Sequence, residues 1–410
     1  MEQNKKMVPE LRFPEFGFLW KEDRIGERTV WKSGGTPSKE IGEYWKGTIP
    51  WISASSMHVD NLCFSELNIT ESAAIKGSRI AKENSLLILV RGSMLYNRIP
   101  VGIVTKRLAF NQDVKSVYAD NSLNYRFLFY WFKYSEHKLL SMVVGTGIGA
   151  GKLEIDDLKS LTISFPDSLE QQKIAAFLTS VDQKIEKLTE KRDLLQQYKK
   201  GLMQKLFSQQ LRFKQDDSSD FPDWEEKPLS ELAERCTKKN DDDSIKRVLT
   251  NSAVHGILDQ QEYFEKDIAN ANNLAGYYVV EEDDYVYNPR ISVYAPVGPI
   301  NKNKVGIGLM SPLYSIFRFK DTSTDFYEYF FQSTEWHRYM STVANYGARH
   351  DRMNISTADF MGIPLPLPSV EEQKKITNAL QVISDKVLAV QDHLEQVTNV
   401  KKALLQKMFV

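Results

Sequence analysis

Gly145, Gly147, Gly149 and Gly151 fall within seven residues, after an apolar run and directly before Lys152. Glycines at this spacing let a backbone approach a pyrophosphate, and Gly145, Gly147 and Ala150 satisfy the relaxed dinucleotide fingerprint. That chemistry needs a strand leading into the loop and a helix opening on it. The Walker form fails on the residues themselves: the position five before Gly151 is Thr146, and Leu153 has no hydroxyl for Mg²⁺. Other catalytic chemistry finds little support. His58, His137, His255, His337, His350 and His393 are scattered without metal spacing. The amino-methylation motif, Asp or Asn before two prolines and an aromatic, is missing, with Asn288-Pro289-Arg290 the nearest approach. Cys63 and Cys236 lie too far apart in sequence for a metal or redox pair.

The elements that carry these residues occur twice. KKGLMQKLF at residues 199–207 is answered by KKALLQKMF at 401–409, and EQQKI at 170–174 by EQKKI at 372–376, both at an offset of 202. Trp20 matches Trp224 and Glu27 matches Glu231 more faintly. A period near 200 residues is too long for a solenoid and reads as a duplicated module. In the second copy Ile376, Leu380, Ile383, Val387, Val390, Leu394, Val397, Lys401, Leu404 and Met408 step by four and three. The first copy keeps the register with Ile174, Leu178, Val181, Ile185, Leu188, Arg192, Leu195, Lys199, Leu202 and Leu206. An apolar heptad stripe of this length predicts a long coiled-coil helix in each copy. Capping boxes are expected at Ser168 with Gln171 and at Ser369 with Glu372. Two stripes of equal length and register pack most simply on each other, antiparallel, as a rod of roughly 60 Å.

Between the helices, residues 28–165 and 235–368 are rich in aromatic and β-branched runs broken by Gly, Pro, Asn and Asp. The fold class is therefore α+β: two globular domains alternating with two long helices, a pseudo-two-fold internal repeat. The formal charge of −1 argues against coating nucleic acid by bulk charge but leaves room for a local basic face. No signal-like apolar segment opens the chain, and no apolar run approaches ~18 residues, so the expected location is the cytoplasm, with no membrane partner. The repeat also weakens the nucleotide reading. Residues 141–155 align with 341–355, where Gly147 keeps its place as Gly347 and Lys152 becomes Arg352. The other glycines become Asn345, Arg349 and Asp351, which no dinucleotide loop tolerates. A turn bearing basic groups fits both copies.

Together with the IPWISASSM segment (49–57) and the VRGSM to VGIV segment (90–104), these features resemble the specificity subunits of type I restriction–modification systems. The resemblance implies target-recognition domains at 1–166 and 229–368, spacer helices at 167–208 and 369–410, and a linker at 209–228. It implies a non-catalytic reader of a split double-stranded DNA target, one domain per half-site. Two methyltransferase subunits would dock on the helices, and restriction subunits would join them. No cofactor is implied on this chain; S-adenosylmethionine, ATP and Mg would be held by the partners. Two such domains would read half-sites roughly 34 Å apart. The rival reading is a coiled-coil scaffold whose two domains bind other ligands.

Base readout uses Arg or Lys for guanine, Asn or Gln for adenine, and Ser or Thr as adaptable donors. The first domain offers Lys32, Ser33, Thr36, Ser53, Ser55, Arg91, Ser93, Tyr96, Arg98, Thr146, Gly147 and Lys152. The second offers Lys238, Lys239, Asn251, His255, Arg290, Tyr294, Tyr346, Gly347, Arg349, His350 and Arg352. The aromatic runs at 125–134 and 326–331 read as core.

Overall fold

The computed structural model describes residues 8–147, 149–263, 274–345 and 351–410. The chain forms two compact units, Met1–Thr189 with Asp392–Val410, and Glu190–Gln391. The division falls inside the long helices, Ser168–Phe207 and Val370–Met408. Each unit therefore holds the start of one helix against the end of the other.

In the first unit Ile174 and Leu178 share a core with Met408 and Phe409. In the second, Ile376 and Leu380 share one with Leu206 and Phe207. These are the same positions shifted by 202, and the pairing is antiparallel in both units. Every heptad position named above is buried or half-buried. The terminal phenylalanines plug aromatic pockets. Phe409 lies against Trp20, Phe127 and Tyr134, and Phe207 against Phe326 and Phe330. Apart from Trp20, those rings come from the helices Tyr125–Tyr134 and Phe326–Gln332, whose aromatic faces are core.

Each unit contains its own sheet, and the two follow one strand order. In the first, Thr29–Ser33, Val114–Ala119, Leu86–Leu89 and Val101–Val104 lie in that order, with Asn61–Leu62 added at the edge. In the second the order is Ala233–Arg235, Ser315–Phe319, Tyr285–Tyr287 and Ile300–Lys302. Val117 faces Leu86 in one, and Phe317 faces Tyr285 in the other. A shared strand order, with matched apolar residues facing inward, is what a duplicated module requires. The first unit adds a four-stranded sheet containing Ile49–Ile52, which places Trp51 and Ile52 in the interior. With Met57 also buried, the large apolar residues of the IPWISASSM segment other than Pro50 are accounted for as packing.

Two expectations need correction. The first long helix is capped by Asp167, whose carboxylate accepts from the amides of Leu169 and Glu170, at 3.0 Å each. Ser168 is already helical. Asp167 aligns with Ser369, which does cap its helix through the Glu372 amide. Neither third residue closes a box. Gln171 instead bonds Asn124, Ser122 and Pro166, while Glu372 turns to Arg212. Secondly, residues 209–228 are not a free linker. Phe221 is buried, Arg212 grips Glu372, and Lys375 donates to the Lys214 carbonyl. The first unit repeats the arrangement with Arg12 on Glu170. Leu11 also donates to the Lys407 carbonyl as Leu211 does to that of Lys205.

The matched lysines of the seam, Lys401 and Lys199, are not equivalent. In the first unit the Lys401 ammonium pairs with Asp182 at 2.5 Å, and the Tyr130 hydroxyl donates to the same carboxylate. In the second, Lys199 donates to the Gln332 amide oxygen at 3.2 Å and lies over the Tyr329 ring, where burial lowers its pKa. A lysine whose folded pKa is lowered weighs against folding while it is charged, and that cost disappears as pH rises through the folded value toward the unfolded one. Lys199→Met is expected to stabilise the protein by about 1 kcal/mol at neutral pH and to flatten the alkaline rise in stability. Lys401→Met, which strips Asp182 of its cation, is expected to cost about 1–2 kcal/mol. Urea unfolding of both variants at pH 7 and pH 10 reads the difference.

Candidate nucleic-acid interface

The glycine segment is a β-hairpin. Val144–Gly145 pairs with Gly151–Lys152, which pairs in turn with Arg91–Gly92. The tip closes where Thr146 donates to the Ala150 carbonyl through both its amide and its hydroxyl. Gly147 and Gly149 take φ of +75° and +77°, which a tight tip requires and other residues resist. Gly151 is needed for a different reason. A Cβ there would stand 2.7 Å from Cγ1 of Val143 and 3.1 Å from Cβ of Leu95. The loop leads back into a strand, so it is not the strand-loop-helix that cradles a phosphate.

The ladder places Lys152 directly opposite Arg91. In the second unit Arg352 stands directly opposite Arg290. Backbone bonds show that these are matching places. Leu153 donates to the Val90 carbonyl and Met353 to that of Pro289, at 2.9 Å each. Like charges set opposite each other across a ladder cost stability. Nearby acids offset part of that cost, with Lys152 on Glu154 at 2.5 Å and Asp351 3.9–4.0 Å from Arg290 and Arg352. Arg91 and Lys152 both border a cavity of about 500 Å³ in the first unit, and Arg352 borders one of about 440 Å³ in the second.

More candidates gather in the first unit. The Tyr96 hydroxyl lies over Gly145. Thr36 donates to the Gln112 side chain at 2.6 Å, and Ser33 stands opposite Lys115 in the sheet. Lys115, missed from the sequence, lines the cavity, and its ammonium bonds the Gln112 carbonyl. Burial lowers its pKa; Asp113 opposes that and Arg91 adds to it. Its position within the strand VKSVYA hid it, because only the strand register reveals which face it shares. Lys32 is exposed on the strand beside Ser33, and Ser93 is exposed next to Gly92. Ser53 and Ser55 form a separate group: their hydroxyls are 2.9 Å apart, near the loop where Arg98 holds the Met57 carbonyl and His58.

In the second unit Lys238 and Lys239 are exposed but attach to the strand Tyr278–Val280 rather than to Arg290. His255 lies in the turn of the hairpin joining Leu249–Ser252 to Gly256–Asp259. Tyr294 is exposed four residues beyond Arg290. Asn251 is a correction. It is 2% exposed, donates to the Val286 and Pro299 carbonyls and accepts from Asn301, so its amide is committed to joining strands. Tyr346, Gly347, Arg349 and His350 lie outside the described residues. Among those described, no helix is long and apolar enough to cross a membrane.

Residues 19–197 match the family model described as the type I restriction modification DNA specificity domain. The Type I restriction enzyme EcoR124I/EcoR124II specificity subunit of Escherichia coli is 32% identical over 182 residues, 44% of this chain and 45% of that protein. The chain thus matches about half the length of that relative. The MjaVIII specificity subunit of Methanocaldococcus jannaschii is 26% identical over 98% of this chain and 94% of its own. Among solved structures, the S subunit of the type I restriction–modification system of M. genitalium has the same fold, with a TM-score of 0.58 at 16% identity over 98% of this chain and 99% of that one. Both units and both helices have their counterpart in that fold, and the chain is similar over nearly its whole length to a type I restriction enzyme specificity subunit, with the family's DNA specificity domain matched at residues 19–197.

Proposed function

We propose that this chain reads a bipartite double-stranded DNA target, one half-site per unit, for a type I restriction–modification complex. The observation that carries the reading is the basic pair repeated in both units, Arg91 with Lys152 and Arg290 with Arg352. Each pair sets like charges opposite each other at a cost that its acidic neighbours offset only in part, and a phosphate would relieve the rest. The globular parts of the two units serve as target-recognition domains. The long helices offer docking faces to two methyltransferase subunits, and restriction subunits join that assembly. The chain does no chemistry itself: S-adenosylmethionine belongs to the methyltransferase subunits, and ATP and Mg to the restriction subunits. The assembly works in the cytoplasm, where the DNA is. With formal charge −1, this chain alone grips phosphate weakly, and the partners supply part of the contact.

The test is selection of duplexes from a random library by the chain assembled with its methyltransferase subunits. Two short constant blocks separated by unconstrained bases are expected. Enrichment of no motif would return the molecule to the scaffold reading.

A further inference from the structure

Beyond Arg290 the second unit exposes two apolar side chains that the basic pair does not explain. Ser292 and Ala295 exchange backbone hydrogen bonds at 3.0 and 3.2 Å and enclose a two-residue turn, Val293-Tyr294. Val293 is 97% exposed and Tyr294 78% exposed. Such turns are ordinarily made of Gly, Asn, Asp or Pro, each for a backbone or side-chain reason. Neither central residue here has a positive φ, so backbone geometry does not call for them. The turn is rigidly based. Ser292 Oγ also accepts from the Ala295 amide, Ile291 donates to the Asp351 carbonyl, and Arg290 bridges to Arg352.

We propose that Val293 and Tyr294 form a wedge that enters the base stack of the DNA at the half-site read by the second unit. The proposal rests on the DNA-reading function above. Apolar side chains at a stiff tip can part a base step, and tyrosine can then stack on the freed face. The flanking arginines suit the phosphates on either side of the opened step, Arg290 having a 61% exposed side chain. Two residues are too few to form a protein interface, which needs about 20–30 a side. The first unit has no such wedge: its matching segment, Ser93–Tyr96, is a helical turn with Leu95 buried. The distortion should therefore fall in one half-site only.

The test uses the chain assembled with its methyltransferase subunits on target duplexes carrying 2-aminopurine at successive positions other than the methylated adenine. Wild type is expected to raise the fluorescence several-fold at one step of one half-site. The double variant Val293→Ser with Tyr294→Ser should abolish the rise while binding weakens by 10-fold or less. A bound wild-type duplex without the rise, or a rise that survives in the variant, overturns the wedge but leaves the DNA-reading function standing. Wild type that binds no duplex overturns both. A variant that no longer assembles with the methyltransferase subunits, judged by gel filtration, assigns the tip to protein docking and likewise overturns the wedge.

Discussion

Arg12→Ala is expected to destabilise the protein by about 3–5 kcal/mol, the usual cost of leaving a buried carboxylate without its partner. The Glu170 side chain has no exposed surface, and each of its oxygens receives one guanidinium bond at 2.7 Å. The same arginine also donates to the Phe18 carbonyl at 2.6 Å, so it ties the segment before the first strand to the start of the long helix. The matching clamp, Arg212 on Glu372, has a further contributor. Trp224 donates its indole N–H to Glu372 at 2.8 Å, whereas the indole nitrogen of Trp20 is buried without a partner. Arg212→Ala should therefore cost less than Arg12→Ala, by roughly the 1–2 kcal/mol of one charge-assisted bond. Joint replacement, Arg12→Met with Glu170→Leu, should regain most of the loss, because no charge is then left buried. Denaturant unfolding of these variants gives the comparison. Equal losses for Arg12→Ala and Arg212→Ala would show that the indole bond contributes nothing.

The second large effect is on recognition. Arg290→Ala with Arg352→Ala should weaken target binding by the assembled complex about 30-fold or more, since each arginine that grips DNA is worth about 1–3 kcal/mol. Arg91→Ala with Lys152→Ala should do the same at the other half-site. If a pair reads bases, selection with the variant relaxes one block of the motif and leaves the other intact. Should it hold phosphate, the motif persists and the salt slope falls by about one for each cation removed. Neither double variant should lower unfolding stability much, because each removes a like-charge pair whose acidic neighbours are partly exposed. Weakened binding that arises from unfolding would remove the pairs from the interface.

The parts of the molecule that were legible in the sequence are those set by periodicity. The heptad stripes, both helices and their pairing follow from apolar spacing, and the antiparallel sense follows from the globular segment that returns the chain between them. The aromatic helices were also legible as core, since their rings recur on consecutive turns. What escaped was set by partners distant in sequence. Glu170 and Glu372 stood out as parts of a repeated phrase, but their arginines lie 158 and 160 residues away. Asn251 looked like a reader of adenine because side-chain chemistry alone does not reveal burial. The cap at Asp167 was missed by one residue, because two adjacent polar residues, Asp167 and Ser168, can each cap a helix. The opposition of Arg91 to Lys152 needed the strand register, which no local pattern of two-residue strands specifies.

The central claim is that this chain specifies which DNA its complex modifies. It is tested most directly by comparing the methylomes of cells that express the methyltransferase partner with and without this chain. A split, adenine-methylated motif present only with the chain is the predicted result. Identical methylomes, with the partner expressed and active, would contradict it.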